Sequence, residues 1–312
     1  MKLIIQPDDG VTPLLRAIRG AKRLIDIVIF RFDRLEVERA LEAAVGRGVI
    51  VRALIAHTNR GGEKRLRKLE LRLLNCGVTV ARTAADLPRY HGKMMIADDT
   101  LQVFGFNYTK LDISKSRSFG IITTDKRLVR EASALFEADR TRQPYSPNYD
   151  RLVVSPETSR ELLTTFIRRA RKQLLIYDTQ VSDNLIQRVL QDRVRAGVEI
   201  RIIGELEKAL TGIECRSLAF LRLHVRAIVR DGESVFIGSQ SLRRLELDGR
   251  REVGVIVTDP RVAKKVQSVF EIDWASGVPK AAGRELARDK DKDKEKGNDK
   301  KEEKEPTPVS AA

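Results

Sequence analysis

The chain has 312 residues, 42% of them hydrophobic, which allows two domains or two similar lobes around a substantial core. Its formal net charge of +15 favours a polyanionic partner, either a phospholipid surface or a nucleic acid. We expect no secretory signal, no membrane-spanning helix and no zinc site, because the chain has no apolar run of about 20 residues and only scattered Cys and His.

The first elements predicted along the chain are alternating helices and strands. The segment "GAKRLIDIVIF" (20–30) is typical of a helix end followed by a buried strand, and "VIVRALI" (49–55) is a β-branched strand. Between them, one helical stripe is formed by Val37, Ala40, Leu41, Ala44 and Val45. This alternation predicts an α/β sandwich with largely parallel sheets.

The second half of the chain repeats the first. The segment "RARKQLLIYDT" (169–179) matches the first strand region, with Ala170 standing where Ala21 stands. Further on, "TDKRLVREASALFEADR" (124–140) matches "TDPRVAKKVQSVFEIDW" (258–274), and the shorter offset means that the second copy has lost about fifteen residues. The fold class predicted is therefore α/β, with two duplicated α/β/α sandwich lobes.

The domain boundaries follow from composition. The first lobe is expected over 1–141, a Pro-containing linker over 142–150 and the second lobe over 151–277. Residues 278–312 alternate charges of both signs without periodic apolar residues, so we expect a disordered charged tail.

One motif occurs in both copies. Its residues are His91, Lys93 and Asp98 in the first copy and His224, Arg226 and Asp231 in the second. Residues i and i+2 of a strand point to the same face, so each histidine and its cation can reach a common ligand. The aspartates follow at the turn after the strand, where we expect them to accept a hydrogen bond from an imidazole Nδ1–H.

Polar residues return to the same sheet edge after a short second strand. They are Asn107 in the first copy and Ser239 and Ser241 in the second. A symmetric pairing of the two copies would bring both histidine faces together across a cleft.

The pattern H-x-K-x4-D followed by G-S-x-N resembles the signature of the phospholipase D superfamily, over about residues 10–275. The chain departs from it at several positions: Phe104 and Gly105 replace the Gly-Ser pair of the first copy, and Arg226 and Ser241 replace Lys and Asn in the second. Glu252 matches an acidic position of the family that is Ser118 in the first copy.

The resemblance implies a phosphohistidine mechanism at the interface of the lobes, without a metal ion or cofactor. His91 is expected to be the nucleophile and His224 the general acid and base. Non-bridging phosphate oxygens would be held by Lys93, Arg226, Asn107 and Ser239, and Ser241 and Glu252 would bind substrate.

Three functions are compatible with the sequence. The first is a phospholipase D-like or cardiolipin synthase-like enzyme that cleaves or transfers a phosphodiester, most simply of a phospholipid. The others are a nuclease of the same superfamily acting on DNA or RNA and a catalytically weakened phosphate-binding protein. Only 5% of residues are aromatic, and no basic–aromatic pattern typical of base stacking occurs in the motif strands, which favours lipid. We expect a cytoplasmic protein that docks peripherally on an anionic inner membrane face through basic surface.

Overall fold

The computed structural model describes residues 1–58 and 62–280 of the chain. Its first half contains, in chain order, β1 (Lys2–Gln6), α1 (Thr12–Gly20), β2 (Leu24–Ile29), α2 (Leu35–Gly46), β3 (Ile50–Ile55), α3 (Gly62–Asn75), β4 (Thr79–Arg82), β5 (Met94–Ala97), β6 (Thr100–Phe104), α4 (Lys110–Lys115), β7 (Ser116–Thr123) and α5 (Lys126–Thr141). The second half contains β8 (Leu152–Ser155), α6 (Ser159–Arg168), β9 (Gln173–Val181), α7 (Asn184–Arg195), β10 (Glu199–Leu206), β11 (Ile213–Ser217), β12 (Arg222–Leu223), β13 (Arg226–Arg230), β14 (Ser234–Gly238), α8 (Arg244–Asp248), β15 (Glu252–Val257), α9 (Pro260–Ser276) and β16 (Val278–Pro279).

The strands form two sheets of matching design. The first has the order β1-β7-β6-β5-β2-β3-β4, with β12 also beside β7, and the second has the order β16-β11-β10-β9-β13-β14-β15-β8. Strands β2, β3 and β4 pair in parallel, as do β9, β10 and β11, whereas the motif strands β5 and β13 pair antiparallel with both neighbours. The prediction of largely parallel sheets is therefore wrong, because a short turn after each motif strand can only join antiparallel strands.

The two sheets share one apolar core. It contains residues of α5 and α9 together with strands of both sheets, among them Phe136, Tyr177 and Phe270. Two further clusters cover the other faces, with α1, α2 and α3 on the first sheet and α6 and α7 on the second. This layering confirms the predicted pair of α/β/α lobes.

The internal repeat is visible in individual elements. Asp125 and Asp259 cap the matching helices α5 and α9, and each accepts a hydrogen bond from the backbone N–H two residues on. The copies differ between the third and fourth strands, where the first has α3 and the second passes from β10 to β11 through a loop. The residues that the second copy lacks therefore correspond to a helix.

Two buried ion pairs cross between the halves. Nε of Arg117 on β7 donates to Asp273 on α9 at 2.8 Å, and Nε of Arg251 donates to Asp139 on α5 at 3.1 Å. The two arginines are related by the repeat, and so are the two aspartates. The two ion pairs therefore hold the lobes together symmetrically, on either side of the interface between them, which we call the seam.

The end of the described chain extends slightly beyond the predicted second lobe. Val278 and Pro279 pair antiparallel with β11, so the tail does not begin at residue 278 as predicted. Residues 281–312, the remainder of the predicted tail, lie outside the described residues. Within residues 1–58 and 62–280, no helix combines the length and apolar character needed to cross a membrane.

Candidate active site

Each motif histidine is held by the opposite half of the chain. The backbone N–H of His91 donates to the carbonyl of Arg251 at 2.7 Å, and that of His224 donates to the carbonyl of Arg117 at 3.3 Å. The residues preceding the histidines make matching bridges, Tyr90 to Arg251 and Leu223 to Arg117. Both imidazoles are thereby placed at the seam, as the sequence predicted.

His91 is fixed on three sides. Its Nδ1 lies 2.9 Å from Oε2 and 3.1 Å from Oε1 of Glu252, which comes from the other lobe and is fully buried. On its other side, Nζ of Lys93 lies 2.8 Å from Nε2, and the ring of Phe30 packs edge-on at 4.5 Å between centroids. A carboxylate at Nδ1 and an ammonium at Nε2 select the tautomer with the proton on Nδ1, which leaves the Nε2 lone pair for chemistry.

His224 has a different carboxylate neighbour. Its Nδ1 lies 3.6 Å from Oδ2 of Asp112, a residue of α4 in the other lobe. Asp112 also accepts hydrogen bonds from Nδ2 of Asn107 at 2.6 Å and from Nη1 of Arg222 at 2.7 Å. The position that the repeat relates to Glu252 is Ser118, whose buried hydroxyl has no hydrogen-bond partner among the described residues.

The two motif cations act on both histidines. Lys93 is fully buried, and burial, opposed by Glu252, lowers its pKa to about 7. Burial, followed by the charge of Lys93, holds the pKa of His91 well below its ordinary value, and Arg226 adds to the effect. For His224, burial and then Arg226 hold the pKa well below its ordinary value, and Asp112 opposes them. Since each cation acts on both rings, the half-sites form one electrostatic unit.

Arg226 has donors that the surrounding chain does not satisfy. Its Nη2 lies 3.4 Å from the hydroxyl of Thr179, but its buried Nε and Nη1 have no hydrogen-bond partner within the described part of the chain. Burial lowers the pKa of this guanidinium, and Asp178 opposes that shift. Unsatisfied buried donors are costly, so the arrangement suits an anion bound between the two histidines.

The prediction that Asp98 and Asp231 orient the imidazoles is wrong. Asp98 accepts from the backbone N–H groups of Lys22, Arg23 and Leu24, and Asp231 accepts from those of Arg171, Lys172 and Gln173. Both adopt a left-handed conformation, with φ of 51° and 57°, at the turn beyond the motif strand. Each lies five residue steps beyond its lysine or arginine, about 16 Å along a strand. The two aspartates therefore tie the hairpin to the preceding helix end.

The side chains predicted to contact substrate have protein partners instead. Ser239 bonds the backbone of Val253, and the fully buried Ser241 donates to Asp178. Glu252, predicted to bind substrate, contacts His91. Asn107 uses its amide N–H on Asp112, although its Oδ1 has no partner among the described residues. The phosphate-binding roles of Asn107 and Ser239 and the substrate-binding roles of Ser241 and Glu252 therefore do not follow from these contacts.

Asp112 and Asp178 were missed by sequence reasoning. Asp112 had one available signal, because the repeat matches it to another acidic residue, Glu246, at the same position of the short helices α4 and α8. Asp178 had none, since a single aspartate that follows an apolar run within a strand is not distinctive by itself. Among the described residues, no three His, Cys, Asp or Glu side chains are arranged to hold a metal ion.

Comparison with known proteins places this geometry in a family. The family described as cardiolipin synthase, PLD-like domain, matches residues 14–140 and 163–274. No curated protein matches the chain in sequence.

Two solved structures share the fold across most of the chain. A phosphatidylserine synthase from Haemophilus influenzae Rd KW20 is 11% identical with a TM-score of 0.71, and the match covers 92% of this chain and 88% of that one. A polyphosphate kinase from Porphyromonas gingivalis is 20% identical with a TM-score of 0.72, and the match covers 92% of this chain but 52% of the kinase, so the chain spans about half the kinase's length. The chain therefore belongs to the phospholipase D superfamily.

Proposed function

We propose that the protein is a phosphodiesterase or phosphatidyltransferase that forms a phosphohistidine intermediate on His91. The observation that carries the proposal is a pair of buried cations: Nζ of Lys93 lies 2.8 Å from Nε2 of His91, and Arg226 has guanidinium donors without partners among the described residues. The charges of both cations act on both histidines. Such a cluster fits the non-bridging oxygens of a phosphodiester, where negative charge grows in the transition state.

In the first step, Nε2 of His91 attacks phosphorus and the bond from phosphorus to the leaving oxygen breaks. His224 must enter protonated, although burial and Arg226 lower its pKa, and the negative charge of a bound diester would favour that protonated form. It gives its proton to the leaving alkoxide. Glu252 faces Nδ1 of His91 and so stabilises the positive charge that the imidazole gains. In the second step, His224 takes a proton from water or an alcohol, the freed oxygen attacks phosphorus, and the bond to His91 breaks.

The assignment of His91 as nucleophile rests on its contacts. Its carboxylate lies at hydrogen-bond distance, whereas the nearest carboxylate oxygen of His224 is 3.6 Å away. Tight pairing of Nδ1 with a carboxylate makes Nε2 a better nucleophile. A looser contact leaves a more acidic imidazolium, which suits a proton donor.

Phospholipid is the substrate that the site surroundings favour. Leu111 and Leu245 are 50% and 45% exposed, occupy matching positions on α4 and α8, and directly precede Asp112 and Glu246. Phe220 is 89% exposed and lies two residues before Arg222, which contacts Asp112. We call these three side chains the apolar rim. Exposed apolar side chains beside cations are typical of a surface that docks on an anionic lipid interface.

A basic groove of about 450 Å³ has Asp112, the carboxylate neighbour of His224, in its lining. Leu111 also lines it, and its cations are Arg31, Arg65, Lys68 and Arg72. The last three are spaced i, i+3 and i+7 on α3, the helix that the second copy lacks. The groove would hold the charged head group or acceptor of a lipid, and both the family description and the name of the Haemophilus structure refer to enzymes that make phospholipids.

A nuclease with the same two-histidine chemistry is the second candidate, favoured by the net charge of +15. The groove contains a single aromatic residue, Phe32, which gives little platform for stacked bases.

The test incubates the protein with labelled phosphatidylglycerol, phosphatidylcholine and single-stranded DNA in parallel, in EDTA, with His91→Ala as the control. We expect turnover of at least one lipid in EDTA and none by the variant. Turnover of DNA alone would make the protein a nuclease. Activity lost in EDTA, or retained by His91→Ala, would contradict the proposed chemistry.

A further inference from the structure

The repeat gives the two histidines unequal carboxylates. For His91, the carboxylate is that of Glu252. Glu252 directly follows Arg251, and the carbonyl of Arg251 accepts a hydrogen bond from the backbone N–H of His91. The matching carbonyl for His224 belongs to Arg117, and the residue that follows is Ser118. A carboxylate at position 118 would face His224 as Glu252 faces His91, but this chain has a hydroxyl there.

A different element brings a carboxylate to His224. Thr109 caps α4 by accepting from the N–H of Asp112, which places the Asp112 side chain in the first turn, 4% exposed. Its Oδ2 accepts from the backbone N–H of Asn107 at 3.0 Å and from the Asn107 side chain. Its Oδ1 accepts from Arg222 at 2.7 Å. The carboxylate is therefore held from both sides, with Oδ2 lying 3.6 Å from Nδ1 of His224, a buried atom that has no hydrogen-bond partner among the described residues.

We infer that Asp112 is the positioning residue of His224 and replaces the carboxylate missing at position 118. The inference rests on the proposed function of His224 as general acid. Because Asp112 lies 3.6 Å from Nδ1 of His224 and is also paired with Arg222, it orients the ring less tightly than Glu252 orients His91. The asymmetry between the histidines then has a geometric origin, since Glu252 lies at hydrogen-bond distance from Nδ1 of His91, whereas Asp112 lies 3.6 Å from Nδ1 of His224.

The charged groups that face His224 are Arg226 on β13, Lys93 just before β5, Arg222 on β12 and Asp112 on α4. Of these four, Asp112 alone raises the pKa of the imidazole. Asp112→Asn keeps the shape of the side chain and removes the charge, so the protonated form of His224 should be lost at lower pH. The high-pH limb of the kcat profile should move to lower pH.

The experiment compares wild type, Asp112→Asn, Asp112→Ala, Ser118→Glu and the Asp112→Ala/Ser118→Glu double variant on a phospholipid with an alkoxide leaving group. Gly105 stands beside Ser118 at the position that Ser239 occupies in the second copy, and a Cβ added there would lie 3.0 Å from Oγ of Ser118. The surroundings of residue 118 are tightly packed, so Ser118→Glu is interpreted only where the variant folds. Asp112→Asn and Asp112→Ala should lower kcat on the order of 100-fold with little change in KM, because the lost function is proton donation. The double variant should recover most of that loss by restoring a carboxylate from the symmetric position.

Thermal unfolding separates this role from a structural one, and only variants that unfold cooperatively near the wild-type temperature are compared. Recovery in the double variant, together with the shifted pH limb of Asp112→Asn, supports the inference. Wild-type kcat and pH profile in Asp112→Asn would overturn it, provided that His224→Ala is inactive. If His224→Ala is itself fully active, the proposed function fails instead.

Discussion

Nδ1 of His91 lies 2.9 Å from Oε2 of Glu252, although the two residues are 161 positions apart and belong to opposite copies of the repeat. Neither half of the chain can complete this pair alone. The contact requires the seam that the Arg117–Asp273 and Arg251–Asp139 ion pairs fasten. Catalytic competence should therefore depend on the joining of the halves as well as on the motif residues.

Replacing either histidine should remove most of the activity. His91→Ala loses the nucleophile, and His224→Ala loses a proton donor whose contribution is on the order of 100- to 10,000-fold in rate. Steady-state kinetics on the lipid identified as substrate would measure both effects. His57→Ala is a matched control, since this histidine follows β3 and its backbone N–H bonds Thr83. Two active motif variants would refute the two-histidine mechanism.

The activity should fall as the pH rises through about 7, the value to which burial lowers the pKa of Lys93. Below this pH the ammonium is charged and can hold a phosphate oxygen, and above it the group is neutral. In Lys93→Arg the side chain stays charged, so the part of the fall near pH 7 that Lys93 causes should disappear from the kcat/KM profile, and the fall caused by deprotonation of His224 should remain, even if the maximum rate is lower. If kcat/KM falls near pH 7 in the same way in wild type and in Lys93→Arg, the fall is caused by the titration of another group.

Polar substitutions in the apolar rim should weaken docking on membranes. Burying one large apolar side chain contributes about 1.5–3 kcal/mol, so Phe220→Ser should reduce partitioning onto anionic vesicles roughly 10- to 100-fold. Vesicle co-sedimentation would measure the loss, with kcat on a short soluble diester unchanged. Ile272→Ser is the control, because Ile272 is 67% exposed on α9, an element that carries none of the three rim residues. Equal effects of the two variants would mean that the rim has no special role.

Removing cations from the groove should raise KM for anionic lipid. One basic residue near a charged lipid surface is worth about 1 kcal/mol, so Arg65→Ala/Lys68→Ala should raise KM by roughly 10-fold or more at low salt. Arg67→Ala changes the same helix outside the groove lining and should have less effect. An unchanged KM in the double variant would remove the groove from substrate binding.

The sequence predicted the features that the repeat encodes and missed those that depend on contact between the copies. The constant offset identified His91, Lys93, His224 and Arg226, and it also implied a shared site. Periodicity along one strand does not reveal which carboxylate faces an imidazole across a seam, so Glu252 was given the wrong role and Asp112 was overlooked. The wrong role predicted for Asp98 was avoidable. Asp98 lies seven residues after His91, about 23 Å along an extended strand, so its carboxylate cannot reach the imidazole of His91.

The direction of strand pairing was also predicted only in part. Buried strands alternating with helices predict parallel pairing for β2 and β3, and the structure has it. The hairpins that begin at the motif strands β5 and β13 pair those strands antiparallel with the strands that follow. The sequence indicated the turn at Asp98, but the antiparallel pairing that such a turn requires was not deduced from it.

The central claim is tested most directly by trapping the intermediate in His224→Ala with a p-nitrophenyl phosphodiester. This leaving group needs no proton donor, so His91 can still be phosphorylated, but no general base remains to activate water. Peptide mapping by mass spectrometry should find the covalent phosphoryl adduct on His91, and none should form in His91→Ala. An adduct on another residue, or release of p-nitrophenol with no adduct at any time, would contradict the account.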